Sequence, residues 1–94
     1  MSATGTTTVD FGASGADVVT AVVIGQAGIS VGSYVEAWIM ADSTADNDAD
    51  AHVLGATTIS LTCGNIVAGT GFTIYATDPA FNVTGLFSIR WVWV

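Results

Sequence analysis

The chain has 94 residues, one small domain, and 51% of them are hydrophobic while only 10% carry charge. Eight acids face a single cation, for a net charge of −7, so a phosphate backbone or an anionic membrane surface would be repelled; neither nucleic acid nor membrane is an expected partner. Cys63 is the only cysteine, which excludes a disulfide within the chain.

The start, MSATGTTT, is short and polar. It predicts a flexible arm over residues 1–8, with the folded domain over 9–94. It has neither a basic region nor an apolar core, so a signal peptide is not expected and folding in a cytosol is. TTTVDF (6–11) is the first β-rich run, and ADVVTAVVI (16–24) follows, ending in the turn GQAG. Residues 18–35 carry no charge, yet three glycines and many valines make this stretch a poor membrane helix. Two strands and a turn explain it better.

SYVEAWIMA (33–41) alternates with period two. Tyr34, Glu36, Trp38 and Met40 share one face, and Val35, Ala37, Ile39 and Ala41 the other. The acidic stretch DSTADNDADAH (42–52) comes next. HVLGATTISLTC (52–63) reads as β-rich, interrupted at Gly55, and GNIVAGTG holds turns around one short run. FTIYAT (72–77) ends at Asp78-Pro79. In the last run, 83–94, Phe87, Ile89, Trp91 and Trp93 line a core face; Ser88, Arg90, Val92 and Val94 line the other. No window carries a helical stripe. The pattern predicts an all-β fold, a single antiparallel β-sandwich (jelly-roll-like or Ig-like) of about six to eight short strands.

Both faces of these strands are mostly apolar, so the second face needs a cover, most simply a neighbouring subunit. Glu36, Trp38, Arg90, Trp91, Val92, Trp93 and Val94 are the candidate interface residues. Glu36 and Arg90 are each the only charge in an apolar strand, and the expectation is that they pair, across a sheet or between subunits. Cys63, in an apolar run, reads as a small hydrophobe.

Asp46, Asp48 and Asp50 alternate like the opening of a calcium loop. The sixth position is Ala51 rather than glycine and the twelfth is Thr57 rather than glutamate, so an EF-hand is excluded; a looser calcium site on the three aspartates stays open. His52 and Cys63 are too few for zinc. No cofactor is expected. Four aspartates in one surface loop make no cleft for paired-carboxylate chemistry, and the stretch reads as a solvated connection rather than an active site. An enzyme is not expected.

The blocks VVIGQAGISVGSYVEAWIMADSTADNDADAH, GNIVAGTGFTIYAT and FSIRWVWV resemble small, functionally uncharacterised virion proteins of tailed bacteriophages and prophages. The likeness spans roughly residues 8–94. It implies a structural protein of the virion, made in the host bacterial cytoplasm. It points first to a capsid decoration (cement) protein that stabilises the head as a homo-oligomer, a trimer or dimer, against the major capsid protein or other virion proteins. The alternative is a tail fibre or tail-tip module that binds a host surface glycan.

Overall fold

The computed structural model describes residues 2–80 and 83–94. Six strands and one helix follow in the order β1 (Ala3–Asp10), β2 (Val18–Val23), β3 (Val35–Trp38), α1 (Ala49–Thr58), β4 (Ser60–Val67), β5 (Gly71–Thr77) and β6 (Leu86–Trp93). They form two three-stranded antiparallel sheets, β1-β6-β3 and β2-β5-β4, packed as a β-sandwich. The all-β sandwich read from the sequence is the observed fold.

The core lies between the sheets. Phe87, Ile89, Trp91 and Trp93 of β6 and Phe72, Ile74 and Ala76 of β5 are buried, as the alternation in both runs requires. The Phe72 and Trp91 rings meet edge to face across the two sheets at 5.5 Å. Two adjacent tryptophan rungs fit because their neighbours are small. Trp91 lies between Gly5 and Ala37 in register, and Trp93 between Ala3 and Val35. A Cβ on Gly5 would collide with the Trp91 ring, so β1 carries glycine where the indole lies against it.

Three sequence expectations need correction. Residues 3–8 are no free arm: they belong to β1 and pair with β6 from Ala3 opposite Trp93 onward. The run expected over 33–41 is a strand only at Val35–Trp38. The run expected from residue 52 is first a helix, α1, and only then a strand, β4. Asp48 caps α1, its Oδ1 accepting from the Ala51 amide at 2.8 Å, and Asp50 in the first turn complements the helix dipole. The face that α1 buries consists of His52 and Gly55, while Val53 and Leu54 point to solvent. An apolar stripe is therefore missing from the sequence, although the helix is well seated. Gly55 permits that seating, because a Cβ there would lie 2.8 Å from the Phe87 ring.

Candidate functional site

The acidic stretch 42–52 is the densest polar cluster of the chain, and the sheet explains where its side chains go. Tyr34 and Val94 exchange both backbone bonds, at 2.9 Å each. By the antiparallel alternation, Glu36 with Val92 and Trp38 with Arg90 form the next bonded pairs. The backbone groups of β6 that face β3 are thus those of residues 94, 92, 90, 88 and 86. β3 ends at Trp38, which leaves the last two of these rungs without a strand.

Side chains from 42–52 fill them. His52 Nε2 accepts from the Ser88 amide at 2.9 Å, and Asp46 Oδ2 accepts from the Leu86 amide at 2.9 Å. The Leu86 carbonyl accepts from Thr44 Oγ1 and Asn47 Nδ2, both at 2.8 Å. Since the Ser88 amide can only donate, the His52 proton sits on Nδ1, which donates to the Asp48 carbonyl at 2.9 Å. His52 is fully buried and packs on the Phe87 ring at 5.0 Å. The imidazole thus bolts α1 to β6, and the stretch acts as a strap along an edge that would otherwise be unsatisfied.

Arg90 extends the strap outward. It donates to Asp42 through Nη2 at 2.7 Å and Nε at 3.2 Å, a two-pronged contact. The Arg90 hydrogen bond holds the Asp42 carboxyl below the ordinary carboxylate range, and the pair raises the guanidinium. The expected Glu36–Arg90 pair is corrected within the chain: both residues lie on the outer face of one sheet, but the only cation is taken by Asp42. The Asp42 signal was hidden because its partner lies 48 residues away, beyond α1, β4 and β5.

Three acids of the stretch are therefore committed as acceptors, Asp42 to Arg90, Asp46 to Leu86 and Asp48 to the helix N-terminus. The three aspartates weighed for calcium do not converge: among the described residues no group of three His, Cys, Asp or Glu side chains is placed to hold a metal ion. Cys63 is half-buried on the core side of β4, and burial, then the Glu36 charge, push its thiol up, away from a nucleophilic thiolate. A cleft of about 310 Å³ between α1 and β6, lined by Leu54, Gly55, Thr58, Val83 and Phe87 among others, contains no titratable side chain among the described residues.

The candidate interface residues separate into two groups. Trp91 and Trp93 are core residues, which corrects their assignment to a contact surface; Trp93 Nε1 donates inward to Gln26 Oε1 at 3.0 Å. Trp38 and Val94 are exposed, Val92 is half-buried beside them, and Tyr34 and Met40 extend the same outer face. Val18, Val22 and Tyr75 are exposed on the outer face of the other sheet.

Charge and grease are largely segregated along the strands, the exception being exposed Glu36 of β3, which lines one surface with Tyr34, Val92 and Val94. Asp10, Asp17, Asp46, Asp48, Asp50 and Asp78 lie in or beside the connections at one end, where β1 and β5 finish and β6 begins. The opposite end is built from residues 24–34, the 67–71 hairpin and Val94, and none of these side chains is charged. Its parts are tied together: Gln26 N donates to the Thr70 carbonyl at 2.8 Å, and Gly69 N to the Ile29 carbonyl at 2.9 Å. Buried Ile29 anchors the turn Ser30–Ser33, whose ends bond at 3.0 Å and which lifts Val31 to 77% exposure. Tyr34, Ile24, Val67 and Val94 surround it, all exposed. Sequence reasoning missed this tip; the one available signal was the uncharged run over 18–35, which bears on it only in part.

No protein-family model, curated protein or solved structure matches the chain.

Proposed function

We propose that this chain is a structural protein of a bacteriophage virion, a capsid decoration protein that braces the head. The observation that carries the reading is the distribution of side chains. Exposed valine, isoleucine, tyrosine, tryptophan and methionine side chains occur on both outer faces and at one tip, while most of the acidic stretch is spent on the fold. Such a chain works by contact rather than by chemistry, and no catalytic role is assigned to it. The resemblance adds weight in its placement. Its blocks GQAGI and IVAGTG lie at the apolar tip, VEAW is β3, and the acidic block ending in His52 is the strap. Association with the major capsid protein or with other copies would cover the exposed faces and stabilise the small fold by mass action.

The experiment is imaging of phage particles with and without the protein. The reading expects density repeated over the head lattice, and heads lacking the protein that rupture under milder heating. Density on tails alone would overturn it. A second reading rests on Trp38, whose indole lines a shallow cavity of about 320 Å³ with Thr4, Thr6 and Arg90 on the outer face of β1, β6 and β3. An exposed indole beside hydroxyl and guanidinium donors suits stacking on a sugar ring, as in a tail module that binds a host glycan. Saturable binding on a glycan array, lost in Trp38→Ala, would favour this second reading.

A further inference from the structure

We infer that the seam between β3 and β4 accepts one extended segment of a partner protein, which adds as a strand to the free edge of β3 and carries a lysine or arginine beside Glu36. The inference rests on open backbone groups, half-buried core side chains and one unanswered charge. It stands whether or not the chain serves in a virion.

β3 and β4 are edge strands, one in each sheet, and they run along the same side of the sandwich. Bonding to β6 uses the backbone groups of Tyr34, Glu36 and Trp38, so those of Val35 and Ala37 point away from the sheet. On the other sheet, Asp78 N donates to the Asp17 carbonyl at 2.7 Å. By alternation Ala76 and Ile74 then bond to β2, while Thr77 and Tyr75 bond to β4 at Ser60 and Thr62. The backbone groups of Leu61 and Cys63 are left facing the same seam. Among the described residues none of these four makes another backbone bond. Such an edge is a template for a further strand.

The packing shows the same gap. Val35, Ala37, Ile39, Leu61 and Cys63 pack against the core, yet each is only half-buried. On the opposite side, where β1 and β2 meet, Val9, Ala21 and Val23 are at most 9% exposed. The difference is a groove of about 520 Å³, lined by Val35–Trp38 of β3 and by Leu61, Thr62 and Cys63 of β4. It continues toward α1 into a hollow of about 300 Å³ beside Ile39, Ala56 and Ile59. Residues 35–39 span about 17 Å of strand. A segment paired with them turns alternate side chains inward, opposite Val35 and Ala37, and sets the others beside Glu36 and Trp38.

Charge selects the occupant. Glu36 is exposed, is the only charged residue lining the groove, and has no cation beside it among the described residues. The chain's single cation, Arg90, is held by Asp42. A second copy therefore has nothing to offer Glu36 and brings its own Glu36 to the shared edge. Opposite charges across a strand pair are favourable and like charges are not. The fitting partner is a different chain: extended, apolar at alternate positions, and basic where it faces Glu36.

The probe is a capped synthetic peptide, Thr-Val-Thr-Val-Lys-Val-Thr, titrated into the isotope-labelled full chain and followed by NMR. The expected result is saturable shifts confined to β3 and β4, slower exchange of the Val35 and Ala37 amides, and affinity that falls as salt is raised. Glu36→Lys weakens binding about fivefold, and the same peptide with glutamate in place of lysine regains it. Ala37→Pro removes a donor that the added strand needs and none that β6 uses, and it abolishes binding. Thermal melts check each fold, and the charge exchange at Glu36 decides alone if Ala37→Pro does not fold. No binding at millimolar peptide overturns the inference, as do shifts on β1 or β2 instead, or affinity indifferent to the charge at residue 36. A parent protein that self-associates through β3 and takes up no peptide assigns the groove to a second copy and overturns it too.

Discussion

His52 Nε2 lies 2.9 Å from the Ser88 amide, and that bond takes the place of a rung in the sheet. Strand β3 stops two rungs short of the start of β6, and a side chain from a helix completes the ladder. Replacing His52 tests how much depends on it. His52→Ala removes the acceptor, the bond to the Asp48 carbonyl and the ring that packs on Phe87. A loss of about 2–4 kcal/mol is expected, a drop of roughly 10–25 °C in melting temperature for a domain of this size. His52→Phe keeps the volume but leaves the Ser88 amide without an acceptor, and should cost about 1–3 kcal/mol. Thermal melts decide; a His52→Phe protein as stable as the parent would remove this rung from the account.

Gly5 makes a second prediction. Alanine at a glycine in a strand ordinarily stabilises by about 0.5–1 kcal/mol. Here the added Cβ meets the Trp91 ring, so Gly5→Ala should destabilise by about 1–3 kcal/mol. Trp91→Phe makes room. Its deletion also removes a buried indole N–H that has no partner among the described residues. A double-mutant cycle should therefore show that Gly5→Ala is tolerated better beside Trp91→Phe than beside Trp91. Additive effects would mean that the two residues do not constrain each other.

The Asp42–Arg90 pair predicts a pH dependence. The folded-state value of Asp42 is depressed, so the pair stabilises the protein above the unfolded carboxyl value of about 3.9. That contribution is lost as pH falls through the lower folded value. Urea denaturation of the parent and of Asp42→Asn, compared from neutral pH downward, should give a stability gap that is constant near neutrality and closes only in acid. A gap that stays open at the lowest pH would assign the effect of the substitution to something other than the carboxylate charge.

The acidic stretch should be indifferent to calcium. Asp46 and Asp48 already accept backbone amides, and turning them toward an ion would break the strap and the helix cap. Millimolar calcium is expected to leave the melting temperature unchanged. Asp46→Ala, which strips the acceptor from the Leu86 amide, is expected to lower stability by about 1–2 kcal/mol with or without calcium. A calcium-dependent rise in melting temperature that vanishes in Asp46→Ala would show an ion site instead.

Much of this architecture was legible in the residues. Period-two alternation placed Phe87, Ile89, Trp91 and Trp93 in the core, and Tyr34, Trp38 and Met40 on an outer face, because a strand's side chains alternate whatever its partners. The helix was not legible, since its buried positions are a histidine and a glycine and its valine and leucine face water. Nor was the pairing of residues 3–8 with β6. ATGTTT reads as a loose polar arm until the tryptophans opposite show why small residues are needed there. The strap escaped for a similar reason. Asp, Asn, Thr and His in an acidic run have the same composition whether they are solvated or bonded to a strand 40 residues away.

Residues 42–52 build the edge of the sheet where β3 no longer covers β6. Amide hydrogen exchange at Leu86 and Ser88, followed by NMR on the whole chain, measures this most directly. Both amides should exchange as slowly as those of Arg90 and Val92, which are paired with β3, and the Ser88 amide should become fast in His52→Phe. Leu86 and Ser88 amides exchanging at the rate of an open loop in the parent protein would contradict it.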